Sequence, residues 1–187
     1  MNKLAIALST ALSLGAAASA SAADGNITFT GKVVASTCSV DVGGGSGTGI
    51  IALRQISANA FKSDETVGST PFTITLAAGG GGTTCSMDNA RLVVDASASD
   101  LSTDGMITDQ PGGSGARTSA RVKLMDADNP AGLTVINLSD LADAGLVREK
   151  TAGEFKYNFV ARYHNPTASD LTAGDFSGRL AFDIDNF

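Results

Sequence analysis

Short stretches in which apolar and polar residues alternate recur along the chain, and they restrict the fold more than any other feature of the sequence. Alternation places every second side chain on one face, as in a half-buried β-strand. Glycine-rich segments separate several of these stretches, as expected of strands joined by turns. The stretches cover residues 27–38, 71–76, 91–94, 121–125, 155–163 and 176–184. Their number and spacing predict an all-β domain, an antiparallel sandwich of about six strands.

The two clearest stretches lie near the C-terminus. The first places apolar residues on one face at Phe155, Tyr157, Phe159, Ala161 and Tyr163. The second does the same at Phe176, Gly178, Leu180, Phe182 and Ile184. Between these strands and the preceding ones, residues 138–147 have a pattern that predicts a short helix.

The first 22 residues have the pattern of a secretory signal peptide. A basic start at Lys3 is followed by an apolar run over residues 4–15 and then by small residues. The run is too short for an ordinary membrane span, and the sequence Ala-Ser-Ala at 20–22 fits the cleavage rule. We expect the mature chain to begin at Ala23, with Ser21 as the competing start and an uncleaved anchor as the alternative. The remaining chain has no stretch that is long and apolar enough to cross a bilayer.

The two cysteines of the chain, Cys38 and Cys85, are predicted to form a disulfide. An exported chain passes through an oxidising compartment, where a single pair of thiols is normally oxidised. The two positions lie 47 residues apart. Their spacing does not match a redox motif, and two thiols with one distant histidine are too few ligands for a structural metal site.

Composition argues against catalysis and against nucleic-acid binding. The chain has one histidine, His164, and no motif of a phosphate-binding loop, so the usual catalytic and cofactor arrangements have no residues to build them. Its formal net charge is −6, with no basic patch that could follow a phosphate backbone. We expect no enzyme activity, no cofactor, no metal and no nucleic-acid partner.

The two ends of the mature chain suggest how the domain is completed. A sandwich of six strands whose last strand reaches the C-terminus has no residues for a seventh, and in an immunoglobulin-like domain this omission exposes a groove with unpaired backbone. Residues 23–30 alternate before the first core strand and could supply a strand to such a groove. The alternative is that they form an ordinary edge strand of their own domain.

Three segments resemble one known family. Residues 27–40, ITFTGKVVASTCSV, are similar to the opening of the major subunits of type 1-like fimbriae, which are assembled by the chaperone–usher route. Residues 159–163, FVARY, resemble the penultimate strand of that family. Gly174, fourteenth from the C-terminus, is at the position where such subunits usually have a glycine. The resemblance extends over the whole mature chain and is sharpest at its ends.

The resemblance implies a fold and a mechanism. Residues 23–187 would form a fimbrial domain, an incomplete immunoglobulin-like sandwich that a donor strand from another subunit completes. Residues 23–30 would be the donor strand, in which Ile27 and Phe29 fill pockets of the groove and Gly25 fits where a larger side chain cannot. The C-terminal strand that borders the groove and contacts the chaperone would include Gly174, Leu180, Phe182 and Ile184.

The partners implied by the family are identical or related fimbrial subunits, a periplasmic chaperone and an outer-membrane usher. The chain would be exported through the periplasm to a fimbrium on the cell surface and support adhesion. Two features depart from the family: Asn186 replaces the usual penultimate tyrosine, and only eight residues precede Gly31 if cleavage falls before Ala23. The alternatives are a minor or adaptor subunit and, from a different class, a self-complete secreted carbohydrate-binding sandwich. The lack of tryptophan disfavours the carbohydrate-binding sandwich.

Overall fold

The computed structural model describes residues 38–61, 66–78, 85, 87–110, 115–167 and 170–187, with the main chain alone at residues 60 and 61. All of them belong to one unit, Ala35–Phe187. The predicted signal peptide, residues 1–22, and the predicted donor segment, residues 23–30, lie outside the described residues.

The described residues form nine β-strands and two short helices. The strands are β1 Cys38–Val42, β2 Gly45–Ser46, β3 Thr70–Ala78, β4 Asn89–Val94, β5 Arg121–Asp126, β6 Thr134–Ile136, β7 Leu146–Glu149, β8 Phe155–His164 and β9 Phe182–Asn186. The helices are α1 Ala58–Phe61 and α2 Asp140–Asp143. Five of the six predicted strands overlap β3, β4, β5, β8 and β9. The first predicted strand, residues 27–38, lies outside the described residues except for Cys38, where β1 begins.

The strands are arranged in two antiparallel sheets. One has the order β2-β1-β3-β8-β5-β6 and the other the order β7-β4-β9. The longest pairing joins β3 to β8, with Ile74 opposite Tyr157. Strand β9 lies at an edge of the smaller sheet, where it pairs with β4. The incomplete antiparallel sandwich predicted from the sequence is therefore confirmed.

The core lies between the two sheets and is built from the alternating apolar residues. Many of its buried side chains come from β3, β4 and β8: Ile74, Leu76, Leu92, Val94, Phe155, Tyr157, Phe159 and Ala161. Tyr157 is fully buried, and its hydroxyl donates a hydrogen bond of 2.8 Å to the carbonyl of Ala90. This bond joins β8 of one sheet to β4 of the other. It also supplies the acceptor that a buried hydroxyl needs.

A disulfide between Cys38 and Cys85 confirms the predicted pairing. Their Cα atoms lie 5.1 Å apart, and the bond ties the start of β1 to the chain just before β4. The ammonium of Lys150 donates to the carbonyls of Cys85 and Met87, at 3.1 and 2.7 Å. The second cysteine is thus held from two sides.

The structure differs from the sequence prediction at two places. The helix predicted over residues 138–147 is reduced to the single turn α2, because Gly145 adopts a φ of +67° and the chain continues as strand β7 from Leu146. The strand predicted over 176–184 has a backbone ladder only from Phe182 onward. Its earlier half has no partner strand among the described residues, since the chain leaves β4 after Val94.

Candidate functional site

An apolar groove of about 1110 Å³ lies along one side of the sandwich, between residues 49–58 and residues 171–182. Its floor consists of side chains from β3, β5 and β8, and Ile107 from the loop after β4 adds to it. The floor residues are Phe72, Ile74, Ile107, Val122, Leu124, Ala161 and Tyr163. Such a long apolar depression fits a strand or peptide better than a small polar molecule.

The first wall of the groove is the segment of residues 49–58. Ile51 and Leu53 pack against the core, whereas Ile50 is 97% exposed. Residues 49–56 form no backbone-to-backbone hydrogen bond with any other described residue, and the amide of Arg54 donates to a side chain, Thr70 Oγ1, at 3.4 Å. Among the described residues, the rest of this backbone therefore has no backbone partner.

The second wall is the extended segment from Gly174 to Ala181, which continues into β9. The backbone of its odd-numbered residues is paired on the side away from the groove. The carbonyls of Ser177, Arg179 and Ala181 accept from the amides of Gln110, Asp100 and Asp95, at 2.7, 2.9 and 3.0 Å.

Side chains complete this pairing. The amides of Ser177, Arg179 and Ala181 donate to Asp109 Oδ1, Asp100 Oδ2 and Ser99 Oγ, at 2.7, 2.7 and 2.8 Å. Two carboxylates and a hydroxyl thus take the place of the backbone carbonyls that a neighbouring strand would supply. These bonds hold the wall although, among the described residues, its only strand-like backbone pairing is an isolated bridge between Asp175 and Arg117.

The even-numbered residues of the same wall present a free backbone edge to the groove. Among the described residues, the main-chain groups of Gly174, Phe176, Gly178 and Leu180 have no hydrogen-bond partner. The pattern continues through β9: Asn89 and Phe187 exchange both backbone bonds, so odd-numbered residues face β4 and even-numbered ones face outward. The free edge therefore runs from Gly174 to Ile184.

Two glycines allow the second wall to approach its neighbours closely. A Cβ atom on Gly178 would lie 2.6 Å from both Ile107 Cγ2 and the carbonyl oxygen of Thr108. A Cβ atom on Gly174 would lie 2.5 Å from the carbonyl oxygen of Ala116. Either contact is too short to be accepted without movement of the wall.

Two ion pairs involve residues of the segment between β4 and β5. Arg117 forms an ion pair with Asp109, in which its Nε donates to Oδ2 at 2.7 Å. The hydrogen bond to Asp109 raises the pKa of Arg117 above its ordinary value. Asp104 pairs with Arg121 at 2.7 Å, and a hydrogen bond from Ser102 lowers the pKa of Asp104. The Asp104 carboxylate therefore remains ionised at neutral pH.

The structure brings together most of the C-terminal site residues predicted from the sequence. Gly174, Leu180 and Phe182 line the groove, whereas Ile184 lies beyond its end and packs on the core from β9. The predicted donor residues Gly25, Ile27 and Phe29 lie outside the described residues. Within the described portion of the chain no group of three His, Cys, Asp or Glu side chains could hold a metal ion. No helix in that portion is long and apolar enough to cross a membrane.

Sequence reasoning missed the first wall and the side-chain acceptors of the second. The apolar run Ile50-Ile51-Ala52-Leu53 was a usable signal for the wall, since it follows a glycine-rich segment and lacks the polar partners of a loop. Asp100 and Asp109 gave no such signal. Their partners Arg179 and Ser177 are far away in the sequence, and only the fold brings them together.

Comparison with known proteins identifies the family of this chain. The sequence profile described as "Fimbrial protein" matches residues 27–185, which is most of the chain. The chain therefore belongs to the fimbrial protein family. It is a structural subunit of a fimbria.

Individual relatives cover nearly the same length. The F17 fimbrial protein of Escherichia coli is 33% identical over 177 residues, which cover 90% of this chain and 92% of the relative. The major fimbrial subunit SMF-1 of Stenotrophomonas maltophilia (strain K279a) is 29% identical over 173 residues, covering 88% and 94%. Among solved structures, the P pilus rod subunit PapA is 15% identical with a TM-score of 0.48, covering 81% of this chain and 99% of that one.

Proposed function

We propose that the mature chain, residues 23–187, is a major fimbrial subunit that polymerises by donor-strand exchange. The observation that carries the proposal is the groove, which combines an apolar floor with unpaired backbone on both walls. Residues 23–30 of the next subunit would occupy it. The fibre would be exported through the periplasm and displayed on the cell surface, where it supports adhesion.

The chemistry of the proposed donor matches that of the groove. Ile27 and Phe29 alternate with polar residues, so both side chains can point to the apolar floor while the backbone lies between the walls. Burying these two side chains contributes roughly 3–6 kcal/mol. Hydrogen bonds to the even-numbered residues of the second wall add to this and slow dissociation.

Before assembly the groove must be covered, because open strand edges beside an apolar groove promote aggregation. A periplasmic chaperone would lend its own strand to the groove and contact the C-terminal strand at Leu180 and Phe182. At an outer-membrane usher, the donor segment of the next subunit would replace the chaperone strand.

The proposal is tested by Phe29→Asp, with Thr28→Asp as the matched control. Both variants add one carboxylate to the donor, but only the first places it on the face that points to the groove. We expect Phe29→Asp to stop fibre assembly while the chaperone complex forms normally, and Thr28→Asp to assemble. Fibres are scored by electron microscopy and chaperone binding by co-purification.

Fibres of normal length from Phe29→Asp would contradict donor-strand exchange through this segment. Loss of chaperone binding in that variant would show instead that the subunit itself is misfolded. A second candidate role, that of a minor or adaptor subunit, uses the same groove. Counting this chain in purified fibres distinguishes the two, since a major subunit accounts for most of the fibre mass.

A further inference from the structure

We propose that Asp100, assisted by Asp109, is a positioning residue for strand uptake by the groove. In this role its carboxylate fixes the second wall from behind, so that the free edge in front stays straight enough to receive a donor strand. The inference rests on the donor-strand function proposed above.

A side chain does this work because, within the described residues, no strand runs beside the wall from Ser177 to Ala181. The chain leaves β4 after Val94, and the one other strand-like pairing with the wall is an isolated bridge between Arg117 and Asp175. The main-chain amide and the side-chain carboxylate of Asp100 together replace the missing neighbouring strand. Its amide donates to the carbonyl of Arg179 at 2.9 Å, and its Oδ2 accepts from the amide of Arg179 at 2.7 Å. Together these bonds reproduce the paired bonds of an antiparallel ladder.

Asp100 is itself held firmly. Its carbonyl accepts from both the amide and the hydroxyl of Thr108, at 2.7 and 3.1 Å. Its second carboxylate oxygen, Oδ1, accepts from Gln110 Nε2 at 3.2 Å. A carboxylate fixed in this way is a directional acceptor and gives a stronger hydrogen bond than a neutral one.

Asp109 has the same role at Ser177, the preceding odd-numbered residue of the wall. Its Oδ1 accepts from the amide of Ser177 at 2.7 Å, while Arg117 clamps the same carboxylate. Gly178 lies between the two anchored amides, and its own backbone faces the groove. The two carboxylates therefore set the direction of the backbone groups that a donor strand would pair with.

Uptake of a labelled peptide covering residues 23–34 tests the inference. The mature full-length chain is refolded with excess peptide, and the rate of peptide capture is followed for Asp100→Ala, Asp100→Asn and the control Asp183→Ala. Asp183 is exposed on β9, opposite Val93, so its own amide is paired by the backbone of β4. Hydrogen exchange of β3 and β8 in the same samples reports whether the fold is intact.

We expect Asp100→Ala to capture peptide about tenfold more slowly, which corresponds to ~1.4 kcal/mol at 25 °C. Asp100→Asn retains one neutral acceptor oxygen and should capture peptide faster than Asp100→Ala but more slowly than wild type. Asp183→Ala should capture peptide at the wild-type rate. Equal rates for wild type and Asp100→Ala would overturn the inference. So would equally slow capture by the Ala and Asn variants, or by Asp183→Ala, because the effect would then follow from charge alone.

Two outcomes identify other causes. If Asp100→Ala loses protection in β3 and β8, Ser99→Ala is judged by the same criteria, because it removes a neutral acceptor from the amide of Ala181. If the wild-type chain captures no peptide, the proposed donor-strand function fails first, and the positioning role fails with it.

Discussion

Tyr157 links the two sheets, and its hydroxyl makes a sharp prediction about alkaline pH. Burial raises the pKa of Tyr157 to about 12, with a smaller opposing effect of the nearby Arg148. The folded state therefore favours the neutral phenol. The resulting stability is fully present below the unfolded pKa of about 10 and is lost as the pH rises towards 12. A shift of two pKa units corresponds to ~2.7 kcal/mol.

Replacing Tyr157 by Phe separates this effect from other alkaline titrations. At pH 8 the variant should be less stable by about 1 kcal/mol, because the hydrogen bond to the carbonyl of Ala90 is lost. Above pH 10 the wild type loses stability that the variant keeps. The difference in free energy of unfolding should therefore change sign near pH ~11.

Urea unfolding of both chains between pH 8 and pH 11.5 measures the difference. The chain has two tyrosines, so absorbance titration of the phenolates can follow each one with single Phe variants. Tyr163→Phe is the control, since burial also raises the pKa of Tyr163 but no sheet-to-sheet bond depends on it. A stability difference that stays constant across this range would refute the reasoning.

Two further predictions concern fixed links in the fold. Replacing both Cys38 and Cys85 by Ala should lower the free energy of unfolding by about 4 kcal/mol, as chain entropy predicts for a loop of 47 residues. Urea unfolding measures this loss, and a value below ~1 kcal/mol would contradict the prediction. Arg148→Gln should lower the free energy of unfolding by about 3 kcal/mol. Arg148 binds both carboxylate oxygens of the buried Asp126, at 2.6 and 2.7 Å, and its removal leaves that carboxylate without its ion-pair partner. A matched Lys156→Gln, which removes an exposed ion pair with Glu154, should change stability little, and equal losses in the two variants would show that burial of Asp126 is unimportant.

Most of the fold could be predicted because alternation is a local signal. In β3 and β8 the apolar residues at every second position are the ones that form the core, and the sequence shows them directly. The end of the helix at Gly145 was missed because a single glycine with positive φ overrides a weak helical pattern. The disulfide was predictable from cellular location and cysteine count, without any knowledge of the fold.

The site was only partly predictable because its walls are defined by backbone groups that have no partner among the described residues. The apolar residues Leu180 and Phe182 were visible in the sequence, but the loss of the ladder before Phe182 was not. It depends on where the chain turns away after Val94, and on whether Asp100 and Asp109 can reach across. No local pattern records such long-range contacts.

A structure of the assembled fibre tests the central claim most directly. The account predicts that residues 23–30 of one subunit lie in the groove of its neighbour, with Ile27 and Phe29 on the floor and backbone bonds to the even-numbered residues from Gly174 to Ile184. A fibre in which each subunit keeps residues 23–30 in its own sheet, or in which the groove remains open, would contradict it.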